Sequence, residues 1–398
     1  MHTFICRVAS ITFSLLLAVG TTRAGDVYVQ TNLVTNNQSL VPALQTDMNL
    51  QGAWGLSFST TSPFWISNQA SGTATLYSVN DTQPPSSASI VPLVVGITNQ
   101  GTPPAPANPN ANGPTGQVNT SAPGITTGST DFLVGTSKAA FIFANMDGSI
   151  SGWNGGAKST IETTVPGASF TGLAIGNLPG PGGAAQIYAA DQNSGNIDVI
   201  KSNWVMTGKF TDPNGLPAGF NSFNVQNLNG LLYVTYANQS TSGGIVDVFK
   251  PDGTFVSRLI NDTAGVHLAA PWGLAIAPAG WGQFGGDLLV GNNNANSAGL
   301  TEINAYNLTT GDFVGTLMLN TGQPFSETEL WALSFGNGGS AGSTDTLFFT
   351  AGLDNNTNGL LGAISSVPEP SSAVLGLIAM GVLAGGWRWR NRRRHARS

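Results

Sequence analysis

The body of this chain is a succession of short apolar runs. Each is followed by a turn rich in Asn, Asp and Gly, and then by a second run in which apolar and polar residues alternate. Alternation with period two places apolar side chains on one face of a pleated strand, and Gly and Asn supply the positive φ that tight turns need. Six hairpins are predicted: 64–67 with 74–77, 140–143 with 149–153, 187–190 with 196–200, 232–235 with 245–249, 287–290 with 302–306, and 347–350 with 360–364. Ahead of the hairpins stands a shorter strand with a Gly-Leu step, seen in Trp54-Gly55-Leu56, Thr171-Gly172-Leu173 and Trp272-Gly273-Leu274. Trp331-Ala332-Leu333 is a close variant and Phe223-Asn224-Val225 a degenerate copy.

Ile66, Ile142, Tyr188, Tyr233, Leu289 and Phe348 mark one position of the hairpin, at steps of 76, 46, 45, 56 and 59 residues. A four-stranded propeller blade takes about 40–50 residues. The long first step contains 99–123, rich in Pro, Gly, Asn and Thr. That stretch reads as an irregular insertion, because Pro cannot donate to a sheet ladder and is barred from a central strand. The expected fold is therefore all-β, a six-bladed β-propeller over residues 25–366. A ring must close, and Val27-Tyr28-Val29-Gln30-Thr31 is placed to complete the last blade, whose hairpin ends near Ile364.

The two ends differ from the body. Residues 1–24 read as a secretory signal peptide: Arg7 is the positive n-region, 11–20 is an apolar run too short to span a bilayer, and Thr22-Arg23-Ala24 offers small residues at the −3 and −1 positions. At the other end Val367-Pro368-Glu369-Pro370-Ser371 precedes an apolar stretch, 373–387, and then Arg388, Arg390, Arg392, Arg393, Arg394 and Arg397. The apolar stretch would reach about 25 Å as a helix, enough for a thin transmembrane span. The arginines hold their side cytoplasmic by the positive-inside rule, which places the body across the membrane.

The order of Pro368-Glu369-Pro370, span and arginine cluster over 367–398 resembles the PEP-CTERM sorting domain of Gram-negative bacteria. The resemblance implies an exosortase-like enzyme as partner, membrane attachment through the C-terminal helix before processing, and a final location in the cell envelope or outside the cell. The repeats resemble NHL-type propeller repeats, and lines such as APWGLAIAPAGWGQFGGDLLVGN and IYAADQNSGNIDVI resemble an uncharacterised family of bacterial six-bladed propellers that often carry such tails. That likeness implies a fold and a location, and no reaction.

Charge narrows the partners. Between the two ends the chain has six cations, Lys138, Lys158, Lys201, Lys209, Lys250 and Arg258. Of the 20 acidic residues all but Glu369 lie here, so the body carries 6 − 19 = −13. Such a surface repels nucleic acid. Cys6 leaves with the signal, so the body has no thiol chemistry, and its single histidine, His267, is too few for most metal hydrolases.

In an antiparallel blade the start of the innermost strand and the end of the second share one face of the disc. Trp54, Thr171, Phe223, Trp272 and Trp331 occupy the starts, and Asn68, Asn145, Asp191, Asn238, Asn292 and Asp354 the ends. Aromatic faces beside amides and carboxylates suit sugars, which gives Trp54, Asn68, Asp191, Trp272, Asn292 and Trp331 as a candidate ligand face. The same residues also read as packing wedges and turn formers. Asp354-Asn355-Asn356-Thr357-Asn358-Gly359 matches the first half of an EF-type calcium loop, but Ser365 stands where the bidentate Glu belongs. Two functions follow: a non-catalytic envelope or matrix protein that binds exopolysaccharide or another ligand, or a lactonase-like hydrolase holding a Ca²⁺-type ion on Asp191, Asn292 and Asp354, with Glu329 nearby.

Overall fold

The computed structural model describes residues 27–81, 86–101, 112–238, 240–295, 299 and 301–367. The expected signal peptide, the Pro368-Glu369-Pro370 motif and the apolar C-terminal stretch lie outside these residues. Among the described residues no helix is long and apolar enough to cross a membrane.

Six sheets stand around an axis, one per blade, and all are antiparallel except that a two-residue strand, Gln45–Thr46, pairs parallel to the outer edge of blade 6. Blade 1 comprises Ala53–Ser57, Phe64–Asn68, Thr73–Asn80 and Ser87–Gly96 from the axis outward. Blade 2 comprises Pro114–Asn119, Phe141–Asn145, Ser149–Trp153 and Thr160–Thr164. Blade 3 comprises Phe170–Asn177, Ala185–Asp191, Asn196–Lys201 and Met206–Phe210, and blade 4 Phe220–Leu228, Leu231–Asn238, Gly244–Phe249 and Phe255–Asp262. Blade 5 comprises Pro271–Ile276, Leu288–Asn292, Ile303–Tyr306 and Phe313–Thr316. Blade 6 takes Leu330–Phe335, Thr346–Ala351 and Leu360–Val367 from the C-terminal part of the chain and its fourth strand, Val27–Thr35, from the N-terminal part. The six hairpins pair as the alternation predicts.

The innermost strands pack each on the next, and Leu330–Phe335 packs back on Ala53–Ser57, so the ring is closed. The closing seam runs from Val27↔Val367 to Thr35↔Leu360, with one irregularity between Asn32 and Val34. Tyr28, Leu33 and Val34 on that strand are fully buried. Tyr28 lies 4.5 Å from Trp281 and 5.8 Å from Phe284, ring centre to ring centre, which ties the seam to blade 5. Each interface between neighbouring blades holds its own apolar cluster. Both faces of a blade are covered, which explains why the second strands are apolar runs rather than alternating ones.

The stretch 99–123 is not an insertion throughout. Pro114–Asn119 within it is the innermost strand of blade 2 and pairs with Phe141–Asn145. Pro114 is tolerated because it is the first residue of the strand and because an innermost strand has a ladder on one side only. Further chain outside the blade lies between Asn119 and Phe141, with a small hairpin of Leu133–Val134 and Ser137–Lys138.

The Gly-Leu step has a steric cause. A Cβ on Gly55 would meet the Thr115 carbonyl oxygen at 2.2 Å, one on Gly116 the Leu173 nitrogen at 2.2 Å, and one on Gly273 the Trp331 carbonyl oxygen at 2.3 Å. Glycine here lets the backbones of adjacent innermost strands touch, which narrows the axis.

Candidate functional site

The innermost strands bring Trp54, Trp272 and Trp331 together from blades 1, 5 and 6. Trp54 and Trp331 stack at 3.3 Å with an interplanar angle of 18°. Trp272 meets them edge-on at 6.5 and 5.9 Å, and Phe223 of blade 4 lies 5.8 Å from Trp331. All four side chains are 3–5% exposed. The rings thus form a plug across one end of the axial channel. The Trp272 Nε1–H donates to the Thr171 carbonyl across the axis at 2.9 Å. The Trp331 Nε1–H donates to Asn356 Oδ1 at 2.8 Å.

A belt of hydrogen bonds locks the blades around this plug. Gln117 Nε2 donates to the Gly55 carbonyl at 2.9 Å, Thr115 Oγ1 to Phe170 at 2.8 Å, Thr171 Oγ1 to Phe223 at 2.7 Å and Asn224 Nδ2 to Trp272 at 2.7 Å. Asn293 Nδ2 donates to the Leu330 carbonyl at 3.3 Å, and Thr350 Oγ1 to that of Trp54. Every pair of neighbouring blades is bridged in this way.

The residues at the ends of the second strands organise the turns. Asn68 Nδ2 donates to Thr73 and Thr75 Oγ1 at 3.2 and 3.0 Å, and Asn145 Nδ2 donates to Ser149 Oγ at 3.1 Å. Asp191 Oδ1 accepts from the Ser169 and Asn193 N–H groups at 2.8 and 3.1 Å. Asn292 Oδ1 accepts from the Ala269 N–H at 3.0 Å while its Nδ2 donates to the His267 carbonyl at 2.7 Å. Asn238 Oδ1 accepts from the Ser240 N–H at 2.9 Å. Leu353, Asp354, Asn355 and Asn356 all have positive φ, and this left-handed turn carries Asn356 to Trp331. Glu329 Oε2 accepts the Asn356 N–H at 2.8 Å, and burial raises its carboxyl above the usual range. Asp191, Asn292 and Asp354 therefore stand on three different blades. Among the described residues no three His, Cys, Asp or Glu side chains come together as a metal-binding group.

The plug makes the channel blind. Beyond it, towards the ends of the innermost strands, lies a cavity of about 140 Å³. Its wall is Gly55–Ser57 of blade 1, Gly116–Asn119 of blade 2, Leu173–Ile175 of blade 3 and Asn224–Asn227 of blade 4, with Trp272, Ala332 and Leu333 completing it. Ala122, Pro123 and Ile125, from the extra chain of blade 2, cover its mouth. Among the described residues the wall is carboxamide, small and aliphatic with the one Trp272 indole, and it contains no titratable side chain. Sequence reasoning missed this site because Gln117 and Asn119 lay inside the presumed insertion. The Thr115-Gly116 step, repeating Thr171-Gly172, was the available signal.

Titratable chemistry is concentrated elsewhere, at the seam of blades 3 and 4. Arg258 forms an ion pair with Asp212 and donates from Nε to Asp247 Oδ1 at 3.4 Å. Asp247 is fully buried. Burial pushes its carboxyl up to about 8; the adjacent Asp212 adds to the rise and Arg258 opposes it. Burial works on Asp212 too, but hydrogen bonds from the Asn214 N–H, Asp247 and Arg258 outweigh it and hold that carboxyl low. Asp247 thus keeps a proton in the folded state that the unfolded chain releases near pH 3.9. Between that pH and about 8 the folded state binds more protons, so stability falls as pH rises. Asp198, pushed up to about 6 by burial and by Asp191, adds the same sign at the lower end. Asp247→Asn, which cannot ionise, is expected to flatten the fall in melting temperature between pH 6 and 8. A variant whose melting curve tracks the parent across that range would refute the assignment.

Comparison with known proteins agrees with the tail. Residues 366–394 match the PEP-CTERM protein-sorting motif. The uncharacterised protein R648 of Acanthamoeba polyphaga mimivirus is 28% identical over 371 residues, covering 88% of this chain and 83% of its own. A second uncharacterised protein of that virus, L690, is 28% identical over 212 residues, covering 49% of this chain and 51% of its own. Among solved structures, virginiamycin B lyase from Staphylococcus aureus is 14% identical with a TM-score of 0.48, covering 85% of this chain and all of the other. The chain is an all-β, six-bladed propeller. It carries a PEP-CTERM protein-sorting motif at its C-terminal end, which marks it as an exported protein sorted through the membrane.

Proposed function

We propose that this propeller is a non-catalytic binding protein of the cell envelope or extracellular matrix, sorted through its tail by an exosortase-like enzyme, which takes a neutral polyhydroxylated ligand in the axial cavity. The observation that carries this reading is the wall of that cavity: amides and backbone groups suited to hydroxyls, with no side chain able to act as general acid or base. The body charge of −13 supports a ligand that is not anionic.

The test is a glycan-binding screen of the full chain purified in detergent, beside the Ala122→Trp variant. Ala122 is half-exposed at the mouth, so an indole there fills the entrance without touching the core. The expected result is a neutral glycan bound by the parent, with at least a tenfold loss in the variant at unchanged melting temperature. Elemental analysis of the same preparation separates the hydrolase. A stoichiometric ion that is lost in the Asp191→Ala, Asn292→Ala double variant would overturn the proposal.

A further inference from the structure

The cavity also constrains how a ligand enters, an inference that rests on the binding role proposed above. Four observations bear on it. First, the Trp54, Trp272 and Trp331 rings close the inner end, so no chain can thread the axis. Second, a volume of about 140 Å³ lies below the roughly 300 Å³ at which sites for drug-sized ligands begin, and it suits a single sugar ring. Third, the strap over the mouth is pinned to blade 3 by a reciprocal amide pair. The Thr126 N–H donates to Asn177 Oδ1 at 2.9 Å, and Asn177 Nδ2 donates back to the Thr126 carbonyl at 2.6 Å. The strap narrows sideways access, so a polymer cannot lie flat across the site.

The fourth observation concerns polarity. Gln117 is 5% exposed, and its Nε2 is held by the Gly55 and Trp65 carbonyls at 2.9 and 2.6 Å. Oε1 is enclosed beside them and does not open on the cavity, so this amide bridges blades 1 and 2. The rest of the wall offers carboxamides and backbone groups, which pair with hydroxyls. No cation lines the wall to pair with a carboxylate or sulfate.

We infer that the cavity takes the end of a neutral saccharide chain, with one terminal sugar inserted along the axis. The experiment is a titration of the full chain in detergent with neutral oligosaccharides built on glucose, galactose, mannose or N-acetylglucosamine. Each is offered as the methyl glycoside and as linear chains of three and six sugars. Linear maltohexaose is compared with the cyclic hexamer of glucose, which has no ends. Uronic-acid oligomers form a separate arm. End-on binding predicts an affinity that changes less than threefold between three and six sugars and falls at least tenfold for a ring without ends. An affinity that climbs steeply with length, or a cyclic hexamer bound as well as the linear one, would overturn the inference and leave the binding role standing. Preference for uronic acids would overturn the neutral class. Failure of every sugar to bind, or binding that Ala122→Trp leaves untouched, would overturn the binding role and the inference with it.

Discussion

A full chain lacking residues 26–33 is expected not to accumulate as folded protein. The strand Val27–Thr35 is the fourth strand of blade 6 and holds the ring closed through eight residue pairs with Leu360–Val367. The deletion removes two fully buried side chains of that strand, Tyr28 and Leu33, each contributing about 1.5–3 kcal/mol by burial alone. Their loss is a large part of the roughly 5–15 kcal/mol that stabilises a typical domain. It also exposes residues 362–367 as an unpaired edge, a template for aggregation. Soluble yield and thermal melting by circular dichroism measure the outcome. A truncated chain that melts at the parent's temperature would mean that the ring does not close through this seam.

Trp331→Ala is the second large effect. The indole stacks on Trp54, meets Trp272 and Phe223 edge-on or tilted, and donates to Asn356. Truncating a buried Trp costs about 3–5 kcal/mol, because the cavity left behind collapses only in part. Here collapse is opposed by the hydrogen-bond belt that holds the six innermost strands at fixed spacing. Denaturant unfolding is the measurement. A loss under about 1 kcal/mol would show that the plug is not a packing element.

Much of the fold was legible because each hairpin is local. Ile187 and Ile200, or Leu232 and Phe249, are paired across one turn, and alternation within a dozen or so residues specifies that pairing. The closing seam was legible for a different reason: a ring has one gap, and Val27-Tyr28-Val29 was the unpaired strand available. Blade 2 was the exception. The prolines around Pro114 outweighed the Thr115-Gly116 step, although an innermost strand needs hydrogen bonds on one side only.

The site was less legible than the fold. Trp54 and Trp331 are 277 positions apart in the chain, and their stacking is a property of ring closure that no local pattern reports. Sequence placed the tryptophans at the right ends of their strands. It could not show that three indoles from three blades would fill the axis and leave the open cavity on the other side, beneath Ala122 and Ile125. Asn68, Asp191 and Asn292 end their second strands, where they hold turns together.

The proposed role of this exported six-bladed propeller is to bind a neutral glycan in its blind axial cavity without changing it. The most direct measurement is calorimetric titration of the full chain in detergent with the best glycan from the screen, followed by mass analysis of the recovered sugar. The account predicts one ligand per chain, recovered intact, and a binding isotherm that Ala122→Trp flattens. A cleaved or otherwise altered sugar, or an isotherm the variant leaves unchanged, would contradict it.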